Sequence, residues 1–417
     1  MQLKTILNRR YRHKSFVYGE VTFFQEGARD ALRIAVEPRA NGRPICSGCK
    51  RPAPGYDRLP ERSFQFVPLW GLAVFLVYRM RRVACPRCGI TVERVPWAKG
   101  KSQQTHAFTW FLTFWAKLLS WQEVARVFGT NWHGVFTAVE SAVEWGLARR
   151  RLTGLSALGV DEVQWQKGHK YLTLVYQIEE GCKRLLYIAL DRTAESLRGF
   201  FDTLPAEVGA GLRYVCSDMW QPYLEVFATQ VPQAVHVLDR YHIVANMNKA
   251  IDEIRRQEAK QSSRDGYEQV LKHSRWCLLK RPENLTAKQT VKLQELLKYN
   301  LRSVRGYLHK EDFQRFWEYR SPFWAGQFLD EWCRRVMRSR LEPLKKVARS
   351  LRTHSELILN WFRARGTVSA GMVEGMNYNV KLTMKKAYGF RTFRAVEMAL
   401  YHRLGNLPVS ELTHKFV

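Results

Sequence analysis

Leu158-Gly-Val-Asp161-Glu-Val-Gln-Trp165 and Tyr214-Val-Cys-Ser-Asp218 are the two stretches on which the fold turns. Each is a short apolar run carrying an aspartate at or near its end, the pattern of a strand that presents an acid at a sheet edge. After the first, residues 170–177 and 184–190 read as strands, with Gly168 and Gly181 marking the turns. Three consecutive antiparallel strands are therefore predicted. A helix over 194–204 capped by Thr193 comes next, then the second stretch, a helix over 221–229 and a strand over 234–238. By pattern alone, Asp161 and Asp218 read equally as strand-end caps.

This succession is the order of an RNase H-like mixed sheet, although other α/β folds share it. In that order the strands bearing Asp161 and Asp218 are neighbours. Phosphodiester chemistry needs such convergence, because carboxylates must hold two hard cations roughly 3.5–4 Å apart. Two acids are too few, and a third ligand is expected from a helix packed on the sheet. Glu374 is the candidate, opening Glu374-Gly-Met-Asn377-Tyr-Asn-Val-Lys381-Leu-Thr-Met-Lys385-Lys386. Residues 374, 377, 381 and 385 share one helical face. A carboxylate, an amide and two ammonium groups on one stripe suit a metal beside a DNA backbone. Taken alone, Glu374 reads as a solvated helix acid.

Towards the N-terminus, Cys46-x2-Cys49 and Cys85-x2-Cys88 can place four thiolates around one structural Zn²⁺. Ser47-Gly48, Pro86 and Gly89 supply the turns, and the β-rich stretch 64–82 supplies a ribbon hairpin. The gap between the pairs exceeds the ~15–20 residues of the commonest pattern. The alternative is two unrelated pairs of reduced thiols. Residues 105–151 read as helical. A short amphipathic helix from Trp121 ends at Gly129, and Thr130-Asn131 can cap a second from about Trp132 to Ala148. That is the shape of a helix-turn-helix, although any helical hairpin with a glycine turn looks similar. Asn131, His133 and Thr137 would be its exposed DNA contacts, with the basic cluster Arg149, Arg150 and Arg151 following.

The 417 residues suggest about two to four domains. The hydrophobic fraction of 46% is ample for packed cores and excludes wholesale disorder. Lys and Arg number 67 against 38 Asp and Glu, leaving a formal charge of +29. Folding does not require that excess; a polyanionic partner explains it. No apolar run reaches the ~20 residues of a membrane-spanning helix. The longest, 66–78, is interrupted by Pro68 and Gly71 and reads as strand. The N-terminus lacks the apolar stretch of a secretory signal, so a cytoplasmic location is expected. There, cysteines favour metal binding or free thiols. Cys182, Cys216, Cys277 and Cys333 are scattered and read as buried core thiols. Gly100-Lys101-Ser102 lacks the glycine-rich loop of a phosphate-binding motif, so no nucleotide cofactor is implied.

Across nearly its whole length the chain resembles the ISL-three family of insertion-sequence transposases. The segments that carry the resemblance are the cysteine pairs, the helix-turn-helix, Gly159-Val-Asp161-Glu, and Ser217-Asp218-Met219 with Tyr223. Further ones are Leu238-Asp239-Arg240-Tyr241-His242-Ile243-Val244 and Glu374-Gly375-Met-Asn377…Lys381…Lys385-Lys386-Ala-Tyr388-Gly389-Phe390. The resemblance implies an RNase H-like core with an Asp-Asp-Glu triad, which maps onto Asp161, Asp218 and Glu374. It implies two Mg²⁺ or Mn²⁺ ions per active site, and cleavage and strand transfer at terminal inverted repeats. Synapsis of two ends implies a dimer or higher assembly on double-stranded DNA, with no membrane partner. Upstream of Glu374 the chain reads Thr367-Val-Ser-Ala-Gly-Met-Val, where the family pattern carries an Asn-containing turn. Asp239 is either a fourth acidic ligand or, the preferred reading, the partner of a basic residue.

The organisation expected is a zinc ribbon over 1–103, a helix-turn-helix over 104–153 and a first part of the catalytic core over 154–244. A helical insertion over 245–345 and a second core part over 346–417, bearing the Glu374 helix, complete it. Trp276, Trp317, Trp324 and Trp332 of the insertion read as packing between helices, with stacking on a nucleobase as the alternative. The basic run from Arg334 to Arg352 reads as phosphate contact. Two other functions fit parts of this pattern, a DNA-binding regulator without catalysis and a nuclease that cuts without joining.

Overall fold

This computed structural model describes residues 3–27, 29–264, 270–364, 370–387 and 389–413. The N-terminal sheet contains β1 (Phe16–Glu26), β2 (Arg29–Pro38), β3 (Gly55–Leu69), β4 (Leu72–Cys85) and β5 (Gly89–Val92). Its order is β1-β2-β4-β3, with β5 paired to β4, and β2 and β4 run parallel. The apolar stretch 66–78 is the heart of the β3–β4 hairpin, turning where Trp70 and Gly71 both take positive φ. β1 and β2 extend the sheet beyond the anticipated ribbon. β1 buries only Phe16 and Tyr18, whereas β2 buries Leu32, Ile34 and Val36 between exposed Arg33 and Glu37.

After the sheet come helices His106–Leu118, Trp121–Val127 and Trp132–Leu147. Ser120 and Glu123 form a capping box on the second. Gly129 supplies the positive φ that ends it, and Asn131 Oδ1 accepts the Gly134 N–H at 2.7 Å to start the third. The C-terminal helix Phe393–Leu404 belongs to the same compact unit, residues 1–150 with 383–417. There Arg394 bridges Glu140 at 2.8 Å and Glu144 at 2.7 Å.

The second unit, residues 151–382, holds a mixed sheet of β6 (Ala157–Gln166), β7 (Lys170–Glu179), β8 (Cys182–Leu190), β9 (Tyr214–Ser217) and β10 (Val235–Leu238). Its order is β10-β9-β6-β7-β8; β6, β7 and β8 are antiparallel neighbours, while β9 and β10 run parallel to β6. The interior strand β7 is buried without a break from Leu172 to Ile178, as a strand covered on both faces must be. Helices Ala194–Thr203 and Gln221–Gln230 pack Leu197, Phe200, Tyr223 and Phe227 against Leu158, Val160 and Val175.

Between β10 and the helix Ala370–Lys386, the described residues are helical, including the long helix Arg240–Arg264. One core gathers Met247, Phe313, Phe316, Trp332 and Leu344; a smaller one gathers Ile251, Leu278, Leu296 and Tyr307. Trp317 and Trp332 are packed in the larger core, whereas Trp276 and Trp324 are exposed. Residues 367–369 of the departing family turn, and Tyr388 of the motif, lie outside the described residues. Among the described residues no helix is long and apolar enough to cross a membrane.

Candidate active site and metal centre

The period of two along β6 decides which acids can meet. Leu158 and Val160 point into the core under helix Ala194–Thr203, so Gly159 and Asp161 point to the opposite face. The Ala370–Lys386 helix lies on that face. A Cβ added to Gly159 would sit 2.5 Å from Val373 Cγ2, so only glycine lets the helix approach this closely. Val373 precedes Glu374, which is exposed at the start of the helix. One turn on, Asn377 is only 7% exposed. Its amide donates to Asp161 Oδ2, and its Oδ1 accepts the hydroxyl of buried Tyr176 at 2.7 Å. Asn377 was expected on a DNA-facing stripe; the structure turns it inward onto Asp161.

Gly159 of β6 is paired with Cys216 of β9, and the strands are parallel. Two residues further along each, Asp161 and Asp218 stand at the same end of the sheet. Asp218 accepts the Trp220 N–H at 3.0 Å and the Arg192 guanidinium at 2.6 Å. Arg192 also reaches Glu162 at 3.2 Å and lies over the Trp220 ring, 4.6 Å from its centroid. Glu162, on the face opposite Asp161, is pushed up to about 7 by burial first and then by the charge of Asp218, with Arg192 opposing. Asp239 follows β10, accepts the Tyr241 N–H at 2.7 Å, and is pushed up to about 6, mainly by burial, with the charges of Asp161 and Glu374 adding.

His242 faces Asp161 and Asp239, 3.7 Å from each. Its contact with Asp161 raises it to about 9 against the effect of burial, helped by the charges of Asp161, Asp239 and Asp218. Carboxylates are thus crowded at one sheet end with one histidine and one arginine as their counter-charges. Hard oxygen donors in such surplus are what divalent Mg²⁺ or Mn²⁺ requires. Among the described residues, Asp161, Asp218 and Glu374 do not have all their ligand atoms within 4.8 Å of one another; the four cysteines do. Sequence reasoning did not single out Glu162, Arg192 or His242 as site residues. Glu162 and His242 lay inside the motifs, the latter one helical turn beyond Asp239; nothing local marked Arg192, because its role arises from the turn after β8.

Cys46, Cys49, Cys85 and Cys88 converge in the N-terminal unit. Cys49 and Cys85 sulfurs are 3.6 Å apart, close to the edge of about 3.8 Å in a tetrahedron with Zn–S bonds of about 2.3 Å. Gly48 gives the first knuckle its tightness, since a Cβ there would lie 3.0 Å from Cys88 Sγ. Cys46 is lowered to about 6, first by the Thr91 hydroxyl hydrogen bond at 3.3 Å and then by backbone N–H groups. Cys88 is pushed up to about 11, by desolvation first and then by hydrogen bonds and charge from Cys46 and Cys49; the four-sulfur donor set is compatible with zinc. Asn131, His133, Thr137, Arg149, Arg151, Lys381 and Lys385 are all exposed. Asn131 spends its carbonyl oxygen on the helix cap, and Arg149 rests on Trp145, 4.2 Å from the ring centroid. In the basic run, Arg335 pairs with Asp312 at 2.6 Å and Lys345 with Glu342 at 2.7 Å.

Comparison with known proteins adds a second kind of observation. Residues 158–400, more than half of the chain, match the profile of the ISL3 family of DDE transposases, described as Transposase. The transposase for insertion sequence element IS1001 of Bordetella parapertussis is 29% identical over 363 residues, covering 86% of this chain and 88% of that protein. The transposase for insertion sequence element IS1557 of Mycobacterium tuberculosis (strain CDC 1551 / Oshkosh) is 29% identical over 424 residues, covering 95% and 94%.

Proposed function

The chain belongs to the ISL3 family of transposases, and from that premise we propose how it works: it binds the terminal inverted repeats of an insertion sequence and cleaves there. The freed 3′-hydroxyl is then joined to target DNA. Asp161, Asp218 and Glu374 are the ligands for two Mg²⁺ or Mn²⁺ ions in an RNase H-like core. The observation that carries this reading is the parallel pairing of β6 with β9, together with the Asn377 bridge from the Glu374 helix to Asp161. The sheet order β10-β9-β6-β7-β8 supports the same core.

Bound cations would activate the attacking oxygen and offset charge on the leaving one. The chain's own side chains do the rest. Asn377 orients the Asp161 carboxylate, while Arg192 and His242 offset repulsion among the acids. Helix Trp132–Leu147 acts as the recognition helix, with His133 and Thr137 on its exposed side and Asn131, Arg149, Arg150 and Arg151 at its ends. Lys381 and Lys385 neutralise backbone phosphates. The four cysteines hold one structural Zn²⁺, and paired ends call for a dimer or higher assembly.

The test is nicking and strand transfer on a duplex carrying the element's end, with Mg²⁺ or Mn²⁺. Asp161→Ala, Asp218→Ala and Glu374→Ala should each abolish both steps while leaving end binding intact. Strand transfer retained in all three variants would rule out this site. Cleavage with no joined product from a pre-cut end would make the protein a nuclease, and specific binding without cleavage a regulator.

A further inference from the structure

The turn that delivers Arg192 to the acidic end of the second sheet is tied at both of its ends. Asp191 holds a positive φ of 65°, a conformation uncommon for a residue other than glycine. Its N–H donates to the Tyr171 carbonyl at 2.9 Å, and its own carbonyl accepts the Thr173 hydroxyl at 2.6 Å. Thr173 also lies 2.8 Å from the Tyr223 hydroxyl and pairs with Glu162 across the β6–β7 ladder. On the other side, Thr193 caps helix Ala194–Thr203, and Ser196 Oγ donates to the Leu190 carbonyl at 2.7 Å. All of these residues belong to the second unit.

The side chain presented by this turn is not fully spent. Arg192 Nη2 donates to Asp218 Oδ2 at 2.6 Å, and its Nε stands 3.2 Å from Glu162 Oε1. That oxygen is buried yet accepts no hydrogen bond among the described residues, so the ion contact is close but misaligned. Nη1 donates to nothing among the described residues, and 36% of the side chain is exposed. The Trp220 ring, 4.6 Å away, supports the guanidinium without fixing its rotation. Two demands then meet on this group. Asp218 Oδ1 already accepts the Trp220 N–H, so Oδ2 is the oxygen left for a cation, and a cation there repels the guanidinium beside it. A phosphodiester entering among Asp161, Glu162, Asp218 and Asp239 meets like charge and needs donors where negative charge builds on its oxygens. A guanidinium matches phosphate as it matches carboxylate.

We propose that Arg192 is a catalytic residue: when Asp218 serves as a ligand, the guanidinium turns off Oδ2, stays anchored on Glu162 and Trp220, and donates to a non-bridging oxygen of the phosphate under attack. Glu162 is then its positioning residue. In each step the nucleophile, water and then the freed 3′-hydroxyl, bonds to phosphorus as the P–O3′ bond breaks. The nucleophile's proton passes to solvent and the departing 3′-oxygen gains one, while Arg192 keeps its own. The inference rests on the transposase reading above. Two measurements on the full chain test it: Mn²⁺ binding without DNA, read by electron paramagnetic resonance with Asp161→Ala subtracting sites elsewhere, and single-turnover cleavage of a duplex carrying the element's end. Arg192→Gln should slow cleavage about 100-fold, as loss of a transition-state donor does. It should nevertheless bind Mn²⁺ as tightly as the wild type or more tightly, because a competing cation has gone. Arg192→Lys should recover about tenfold of the loss, its charge being kept and its fork lost. Glu162→Gln should slow cleavage in the wild type and add nothing to Arg192→Gln.

Cleavage by Arg192→Gln at the wild-type rate overturns the phosphate contact and leaves the transposase reading intact. Mn²⁺ binding lost together with cleavage in a folded variant also overturns it, as the mark of a residue that only shapes Asp218. Losses that add in the double variant overturn the anchoring by Glu162. Arg192→Met, which keeps an unbranched stem on Trp220, gives the same readout should urea unfolding show Arg192→Gln to be unfolded. A wild type that binds Mn²⁺ but never cuts the end duplex overturns the transposase reading and this inference with it.

Discussion

At the residue scale the acidic site is as much a matter of support as of ligands. Asn377 holds Asp161 from one side and buried Tyr176 from the other. Asn377→Ala is predicted to lower cleavage about 10–100-fold, as losing an outer partner of a metal ligand does. It should also cost about 1–3 kcal/mol of stability, because the Tyr176 hydroxyl is left buried without an acceptor. Single-turnover kinetics and chemical denaturation read the two effects separately. His236 sets a pH dependence of a different kind. It is buried between Ser217 and the Phe227 ring, and burial lowers it to about 4. The native state therefore holds it neutral while the unfolded chain protonates it near its ordinary value of about 6.5. Its stabilising share is complete above about pH 6.5 and is lost as pH falls towards 4, on the order of 3 kcal/mol in all. Urea unfolding between pH 7 and pH 4 should show that decline, and His236→Gln should flatten it.

At the scale of elements, the decisive contact is helix Ala370–Lys386 against β6. Gly159→Ala places a methyl 2.5 Å from Val373 Cγ2 and 3.0 Å from Ile178 Cγ2. The overpacking should cost about 1–3 kcal/mol and lift the Glu374 helix off Asp161. Activity should fall with it, and Val373→Ala in the same chain should restore part of both; a Gly159→Ala protein as active and stable as wild type would contradict the packing. The strands around Asp161 and Asp218 were legible because each is an apolar run bounded by glycine turns or a helix cap, and the turns at Gly168 and Gly181 have the positive φ their sequence suggested. β1 was not, since only Phe16 and Tyr18 at its start are buried and the rest lacks the alternation by which a strand is recognised; β2, whose Leu32, Ile34 and Val36 do alternate with Arg33 and Glu37, went unread. The helix pair around Gly129 was readable from its turn, because Gly129 ends one helix and Asn131 caps the next, while the Ser120–Glu123 capping box emerged only with the structure.

At the scale of the whole molecule, charge and metal are the quantities to measure. With a formal charge of +29, DNA affinity should fall steeply with salt, each neutralised phosphate adding about −0.9 to the log–log slope. A flat response would contradict backbone contact. Metal analysis should find about one Zn²⁺ per chain, lost with folding of the N-terminal unit in Cys85→Ser; a metal-free protein that stays folded and active would discredit the cluster. The sequence by itself determined the strands and helices of the core, the cysteine knuckles, the charge and the family, because these depend on residue order, local caps and spacing. Tertiary structure alone decided that Asn377 faces inward, that Arg192 and His242 counter the acids, and which tryptophans stay open. Those outcomes depend on which faces of separate elements are pressed together, and no periodicity within one element encodes its partner.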